Sequence, residues 1–204
     1  MTLTEDRSAL AATKSANPAR RAMIESQLRT SGVNEPWVLA AMAGVAREDF
    51  VPETMRNAAY IDRAIALGNG RFLAAPLVQA KMLAEAEPTA EDKALLIGEG
   101  NGYLAALLRP LVGSLDAVAP ADAAAMDGKG GYSLVVIDGA VEELPAGVAS
   151  QLAHDGRLVT GLIERGVSRL AAGRKAGSTV ALLPLAEIGI PALPELAAPK
   201  RWSF

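Results

Sequence analysis

"LLIGEGNGY", Leu95 to Tyr103, runs a short apolar stretch into glycines at positions 98, 100 and 102. A near-continuous apolar run of this length is what a strand buried on both faces requires. Glycines directly after it let the backbone turn sharply and come close to a ligand. Tyr103 to Leu111 reads as a helix, and a helix starting on such a loop offers free N–H groups. Strand, loop and helix together describe a nucleotide-like cofactor site. The spacing narrows the choice, because the dinucleotide fingerprint is G-x-G-x-x-G and Tyr103 stands where its third glycine would be. A tight turn that needs its glycines only for packing is the plain alternative at this point.

The rhythm around the loop repeats. Lys93 to Ile97, Ser114 to Val118, Leu134 to Ile137 and Arg157 to Gly161 are short apolar runs. Helical stretches at Tyr103 to Leu111 and Val141 to Ala153 separate some of them, so the pattern predicts an α/β, doubly wound, mostly parallel sheet. Val167 to Ala172 and Thr179 to Pro184 flank the turn-rich "GRKAG" and predict an antiparallel pair closing that sheet. Before Pro88 the rhythm is helical. Asn17 is placed to cap a helix opened by Pro18, with Met23, Ile24, Gln27, Leu28 and Ser31 on neighbouring turns and Gly32 as its stop. Asn34 is expected to cap a second helix with Trp37, Val38, Ala41, Met42 and Val45 as its apolar stripe. "FVPE" at Phe50 to Glu53 interrupts the period, and Pro76 is expected to open a third helix. Residues 1–16 carry no period and are expected to be disordered.

Composition limits the function classes. The 204 residues are half apolar, enough for a substantial core, and carry a net charge of −3 from 20 basic and 23 acidic residues. With no basic face, nucleic acid is not an expected partner. The absence of cysteine excludes disulfides, thiolate metal sites and a catalytic thiol. No secretory signal or membrane-spanning stretch is evident, so a cytoplasmic protein is expected. His154 is the one histidine and reads as a surface loop residue; no metal-ligand spacing and no G-x-S-x-G context accompany it. Asp138, at the carboxyl end of the fourth strand, sits where doubly wound sheets bind ligands; capping a helix that begins near Val141 is its equal alternative.

"RRAMIESQLRTSGV", "VLAAMAGVAREDFVPETMRNAAYIDRAIALGNGR", Pro76, "LLIGEGNGYLAALL" and "GYSLVVIDGAVEELPAGVASQLAHDGRLVTGL" follow one another in this order. Together they resemble the protein-L-isoaspartate O-methyltransferase family over most of residues 20–185. The resemblance implies a Rossmann-like cofactor-binding region over 89–204, with a helical substrate-side region over 17–88 forming one compact unit with it. It implies S-adenosylmethionine as cofactor and an isoaspartyl-containing protein or peptide as methyl acceptor, hence a protein-repair activity. Gly98, Glu99, Gly100, Asn101 and Gly102 are the implied cofactor loop. Asn69 to Ala75 are the implied substrate side, and Asp62 falls on a family acidic position with a structural role.

Three features depart from the family pattern. Where the family reads G-H-G-Q-T-I-S-Q-P, this chain reads "GNGRFLAAP": Phe72 stands for the threonine, Ala74 for the serine and Ala75 for the glutamine, while Arg71 offers a bidentate carboxylate contact. Ala119 occupies the position at the end of the second strand where the family places an acidic residue on the cofactor ribose. Only Ala119 to Ser133 separate the second strand from what resembles the family's fourth, too little for a helix, a strand and another helix. The sheet is therefore expected to lack its third strand and leave the second as an exposed edge.

Two readings of function stand side by side. One is a carboxyl O-methyltransferase of this family, with Ala74 and Asp138 at the catalytic positions and Asn69, Arg71, Phe72 and Ala75 on the substrate. The other is a catalytically degenerate fold acting as a scaffold, with the open sheet edge or the C-terminal "EIGIPALPELAAPKRWSF" as contact surface, including for a homodimer. A dinucleotide-dependent oxidoreductase is disfavoured by the loop spacing.

Overall fold

The computed structural model describes residues 17–128 and 130–198. Residues to Glu87 form one compact unit and those from Pro88 a second. The expected disorder of residues 1–16 and the aromatic C-terminus Trp202 to Phe204 lie outside the described residues.

In the first unit, helix α1 spans Pro18–Met23 and is capped as expected: the Asn17 side chain accepts from the Ala19 N–H. The chain then winds through a wider π turn, Ile24–Leu28, and a 3-10 turn, Arg29–Ser31, until Gly32 at φ 84° ends it. Met23, Ile24 and Leu28 are buried. Helix α2 spans Pro36–Gly44, but Asn34 does not cap it. Glu35 holds that position without a side-chain cap, and its carboxylate accepts from the Asn34 N–H instead. The buried stripe of α2 is Val38, Leu39, Met42 and Ala43, rotated by one residue from the expected one, with Trp37 and Ala41 only half-buried. Both apolar sets satisfy a helical period, and packing decides between them.

A second difference lies at Ile65–Gly68 (β1) and Arg71–Leu73 (β2), which pair antiparallel where a helical rhythm was expected to continue. Asn69 at φ 52° and Gly70 at φ 74° make the two-residue connection. Two successive left-handed residues match the right-handed twist of a hairpin, and Asn-Gly is the pair that adopts them most readily. Helix α3, Pro76–Ala86, follows as expected.

The second unit is a six-stranded sheet. Strands β3 (Lys93–Ile97), β4 (Ser114–Val118), β5 (Tyr132–Val141), β6 (Leu152–Glu164), β7 (Val167–Ala176) and β8 (Thr179–Glu187) are arranged in the order β4-β3-β5-β6-β7-β8. The first four are parallel and the last two antiparallel, as predicted. Helix α4 (Tyr103–Leu108) follows β3, α5 (Pro120–Ala123) follows β4 and α6 (Ala146–Gln151) follows β5. Strands β5 and β6 outrun their apolar cores, and the expected helix over Val141 to Ala153 shrinks to α6 because β5 continues to Val141 and Pro145 sets the helix start.

Among the described residues no third strand intervenes between β4 and β5, and β4 is an edge with Asp116 and Ala117 exposed. The short connection earns its place by packing. Ala123 joins Leu95, Ile97, Val135, Ile137, Val148 and Leu158 in one buried cluster, and Gln151 donates to the carbonyls of Asp127 and Gly128. Burial of each larger apolar side chain there contributes about 1.5–3 kcal/mol. The described part of the C-terminal segment folds back on its own chain: Ile190 and Leu196 are buried, and the Ala140 N–H donates to the Pro191 carbonyl at 2.8 Å. Ile190 and Leu196 thereby add to the core.

Candidate functional site

The glycine loop leaves the carboxyl end of β3. The Gly98 N–H donates to the Val118 carbonyl at 2.9 Å, carrying the β3–β4 ladder one step past its last paired residues. The Gly102 N–H donates to the Glu99 carbonyl at 2.9 Å and closes the turn into α4. None of the three glycines has a left-handed φ. Close approach is what demands them: a Cβ on Gly98 would stand 3.0 Å from the Asp138 Cβ, and one on Gly102 would stand 3.0 Å from both the Cβ and the carbonyl oxygen of Glu99. The packing role weighed from sequence is therefore real, and it is served by the same atoms that shape the loop. Arg109, beyond α4, donates to the Gly100 carbonyl at 2.9 Å and pins the far side. Asn101, at its tip, is exposed.

Asp138 lies within β5, half-buried, one residue past the Ile97–Ile137 pair. It is not the cap of α6, where Pro145 holds that position. From Val136 to Ala140 strand β5 advances four residues while β6 advances two, from Val159 to Gly161. That bulge, over Ile137 to Gly139, re-aims the strand beside the glycine loop. Thr160, fully buried, donates to the Gly139 carbonyl at 3.3 Å and steadies it. Ala119, exposed, follows β4 and holds the cap position of α5. Gly98 and Ala119 thus follow the carboxyl ends of β3 and β4, with Asp138 beside Gly98 in β5, at the edge of the sheet where open α/β sheets bind ligands.

In the first unit, the expected substrate stretch divides in two. Asn69, Arg71 and Phe72 are exposed on the hairpin, Phe72 by 48%. Ala74 and Ala75 are buried, so each offers backbone rather than a reactive side chain. Arg47 was not identified from sequence, and it organises this stretch. Fully buried, it donates to the carbonyls of Ala74 and Ala59 and to the Gln79 side-chain oxygen. The signal was present: an arginine inside "REDFVP" whose flanks read as core.

A polar cluster holds the same unit. Glu48 accepts from Asn17 at 2.7 Å, from Arg20 and from the Tyr60 hydroxyl, while Arg20 also donates to Tyr60 at 2.8 Å. Burial pushes the Glu48 carboxyl up, but the bonds from Tyr60, its own backbone, Asn17 and Arg20 outweigh it and hold the group below its usual range. Burial and the Glu48 carboxylate raise the Tyr60 phenol. In the second unit Asp92, at the amino end of β3, accepts from Ser133 at 2.6 Å, from the Thr89 N–H at 2.8 Å and from Arg157 at 2.7 Å. These bonds outweigh burial and lower its carboxyl. Asp92 ties β3, β5 and β6 together at the end of the sheet away from the loop. His154 is exposed beside Asp155, as expected, but it lies near the start of β6 rather than in a loop. Among the described residues no group of three or more His, Cys, Asp or Glu could hold a metal ion, and no helix is long and apolar enough to cross a membrane.

The donor set suits one half of an S-adenosylmethionine molecule. Glu99 lies in the glycine loop and the Asp138 Cβ stands beside Gly98, so two acidic residues lie at or beside the loop. Ala119, where the resemblance to the family implies a ribose partner, has no side-chain acceptor, and Asp116, three residues earlier, accepts from the Tyr132 hydroxyl at 2.8 Å.

The fold and loop define an α/β protein of the methyltransferase type. The family model for protein-L-isoaspartate(D-aspartate) O-methyltransferase matches residues 19–125, and the chain belongs to that family. It is 33% identical over 184 residues to the protein-L-isoaspartate O-methyltransferase of Methanoregula boonei, covering 78% of this chain and 85% of that one. The corresponding protein of Methanoculleus marisnigri is 32% identical over 198 residues, covering 83% and 90%. In three dimensions the chain is similar to a Plasmodium falciparum protein described as a protein-L-isoaspartate O-methyltransferase and solved with S-adenosyl-L-homocysteine. The TM-score is 0.69 at 16% identity, over 88% of this chain and 99% of that one, a likeness of fold.

Proposed function

We propose that this chain is an S-adenosylmethionine-dependent carboxyl methyltransferase whose acceptor is an isoaspartyl-containing protein or peptide. The observation that carries the reading is the Gly98–Gly102 loop closing against Asp138 at the carboxyl edge of the sheet, in a chain of this family. S-adenosylmethionine, when bound, supplies the methyl group to be transferred. The protein's own contribution is binding and alignment, because a carboxylate is already a nucleophile and needs no general base. Gly98, Glu99, Gly100, Asn101 and Gly102 hold the methionine half of the cofactor, and Asp138 borders it. Ala119 leaves the ribose without its charged partner. Asn69, Arg71 and Phe72 present the acceptor surface, with the Arg71 guanidinium receiving a carboxylate in place of the missing hydroxyls. Ala74 and Ala75 set the backbone behind them, held by Arg47.

A second reading, a noncatalytic scaffold or a homodimer paired through its sheet edge, is favoured by the exposed β4 strand and by the missing carboxylate at Ala119. Calorimetric titration with S-adenosylhomocysteine separates the two. Micromolar binding, followed by methyl transfer to an isoaspartyl peptide, supports the enzyme. No heat up to millimolar ligand from folded protein overturns it and leaves the scaffold.

A further inference from the structure

We infer that Asn69–Gly70 is a site of spontaneous covalent modification, at which the exposed hairpin between β1 and β2 deamidates to aspartyl and isoaspartyl forms. The chemistry needs only the chain and water. The Gly70 backbone nitrogen, losing its proton to solvent base, attacks the Asn69 side-chain carbonyl carbon. A carbon–nitrogen bond forms, the bond to Nδ2 breaks and ammonia leaves with a proton, giving a cyclic succinimide. Water then opens the ring: cleavage at the former side-chain carbonyl gives aspartate, and cleavage at the main-chain carbonyl gives isoaspartate.

The structure singles out this pair among similar ones in the chain. Asn69 and Gly70 are both exposed, and a Cβ built on Gly70 would meet nothing within 4 Å, so the two-residue connection has open space around it. Asn101–Gly102 has the same two residues in an exposed loop, but its attacking nitrogen is held in the 2.9 Å bond to the Glu99 carbonyl, and Glu99 atoms crowd Gly102 at 3.0 Å. Asp138–Gly139 lies in β5 with Gly139 buried, and Gly156 of Asp155–Gly156 is buried as well. The one remaining pair, Asp127–Gly128, is exposed but starts from a carboxylate, whose oxygen is a poorer leaving group than an amide nitrogen that departs as ammonia.

Modification would alter the surface at Arg71 and Phe72. Each conversion adds a negative charge beside Arg71 to a chain of net charge −3. The isoaspartyl form also inserts an extra backbone carbon into a connection whose two-residue length sets the register Ala66–Phe72 and Gly68–Arg71. The hairpin as built cannot survive that insertion.

The test is to age the full chain in warm, mildly alkaline buffer and map it with trypsin. Cleavage after Arg63 and Arg71 releases Ala64 to Arg71, carrying Asn69. This peptide should gain two new chromatographic forms, each with the mass gain of oxygen replacing NH, while isoelectric focusing of the intact chain shows an added acidic band. Asn101 should convert at least roughly tenfold more slowly, the effect of one retained hydrogen bond and local order of about 1.4 kcal/mol. The variant Asn69→Gln should remove the early acidic band. An Asn69 peptide that stays unconverted, or an Asn101 peptide converting as fast, would overturn the inference.

Discussion

Gly98, just past β3, and Asp138, within β5, meet closely: a Cβ at position 98 would stand 3.0 Å from the Asp138 Cβ, tighter than ordinary contact. The pair follows Ile97 and Ile137, which are in register across β3 and β5. The loop's position therefore depends on a contact between residues forty apart in the chain.

Gly98→Ala tests that dependence. The added methyl crowds the Asp138 Cβ, which must shift by a few tenths of an ångström, and overpacking of this kind costs about 1–3 kcal/mol. We expect a lower denaturation midpoint and at least several-fold weaker S-adenosylhomocysteine binding by calorimetry. Unchanged affinity in a folded variant would separate the loop from the ligand.

Ala119→Glu should act in the opposite direction. A carboxylate gaining hydrogen bonds to ribose hydroxyls contributes about 1.5–3 kcal/mol, roughly ten- to a hundredfold in affinity. Titration of the variant beside the wild type reads the gain; equal affinities would mean that position 119 does not face the cofactor.

Arg47 offers a test of the substrate side. Its buried fork serves three acceptors, at Ala59, Ala74 and Gln79. Arg47→Ala leaves them unpaired and should cost about 3 kcal/mol or more in urea unfolding. Arg47→Lys should recover little, since a single ammonium group lacks the planar fork. A lysine variant as stable as the wild type would contradict this.

Asp92 predicts a pH dependence. Its folded carboxyl titrates below the unfolded value of about 4, so its stabilising contribution is complete above that value and is lost as pH falls through the folded one. Urea midpoints measured from about pH 7 to about pH 3 should fall more steeply for the wild type than for Asp92→Asn. Parallel curves would remove Asp92 from the acid response.

Much of the fold was legible. The apolar runs at Lys93 to Ile97, Ser114 to Val118 and Leu134 to Ile137 became parallel strands, and the short stretch from Ala119 to Ser133 excluded a third strand and left β4 at the edge. The hairpin at Asn69–Gly70 was missed although Asn-Gly is a strong turn signal, because strands of four and three residues are too short to show an alternating pattern. The stripe of α2 was displaced by one residue because several adjacent positions are apolar and periodicity alone cannot choose among them.

By itself the sequence determined the family, the order of the strands after Pro88, and the place of the glycine loop, because these follow from local pattern and spacing. Tertiary structure alone decided that Asp138 lies against Gly98 rather than capping α6, that Arg47 grips the Ala74 carbonyl and that Asp92 joins three strands. Each is a contact across a wide gap in sequence, set by strand register and burial, which local composition does not encode.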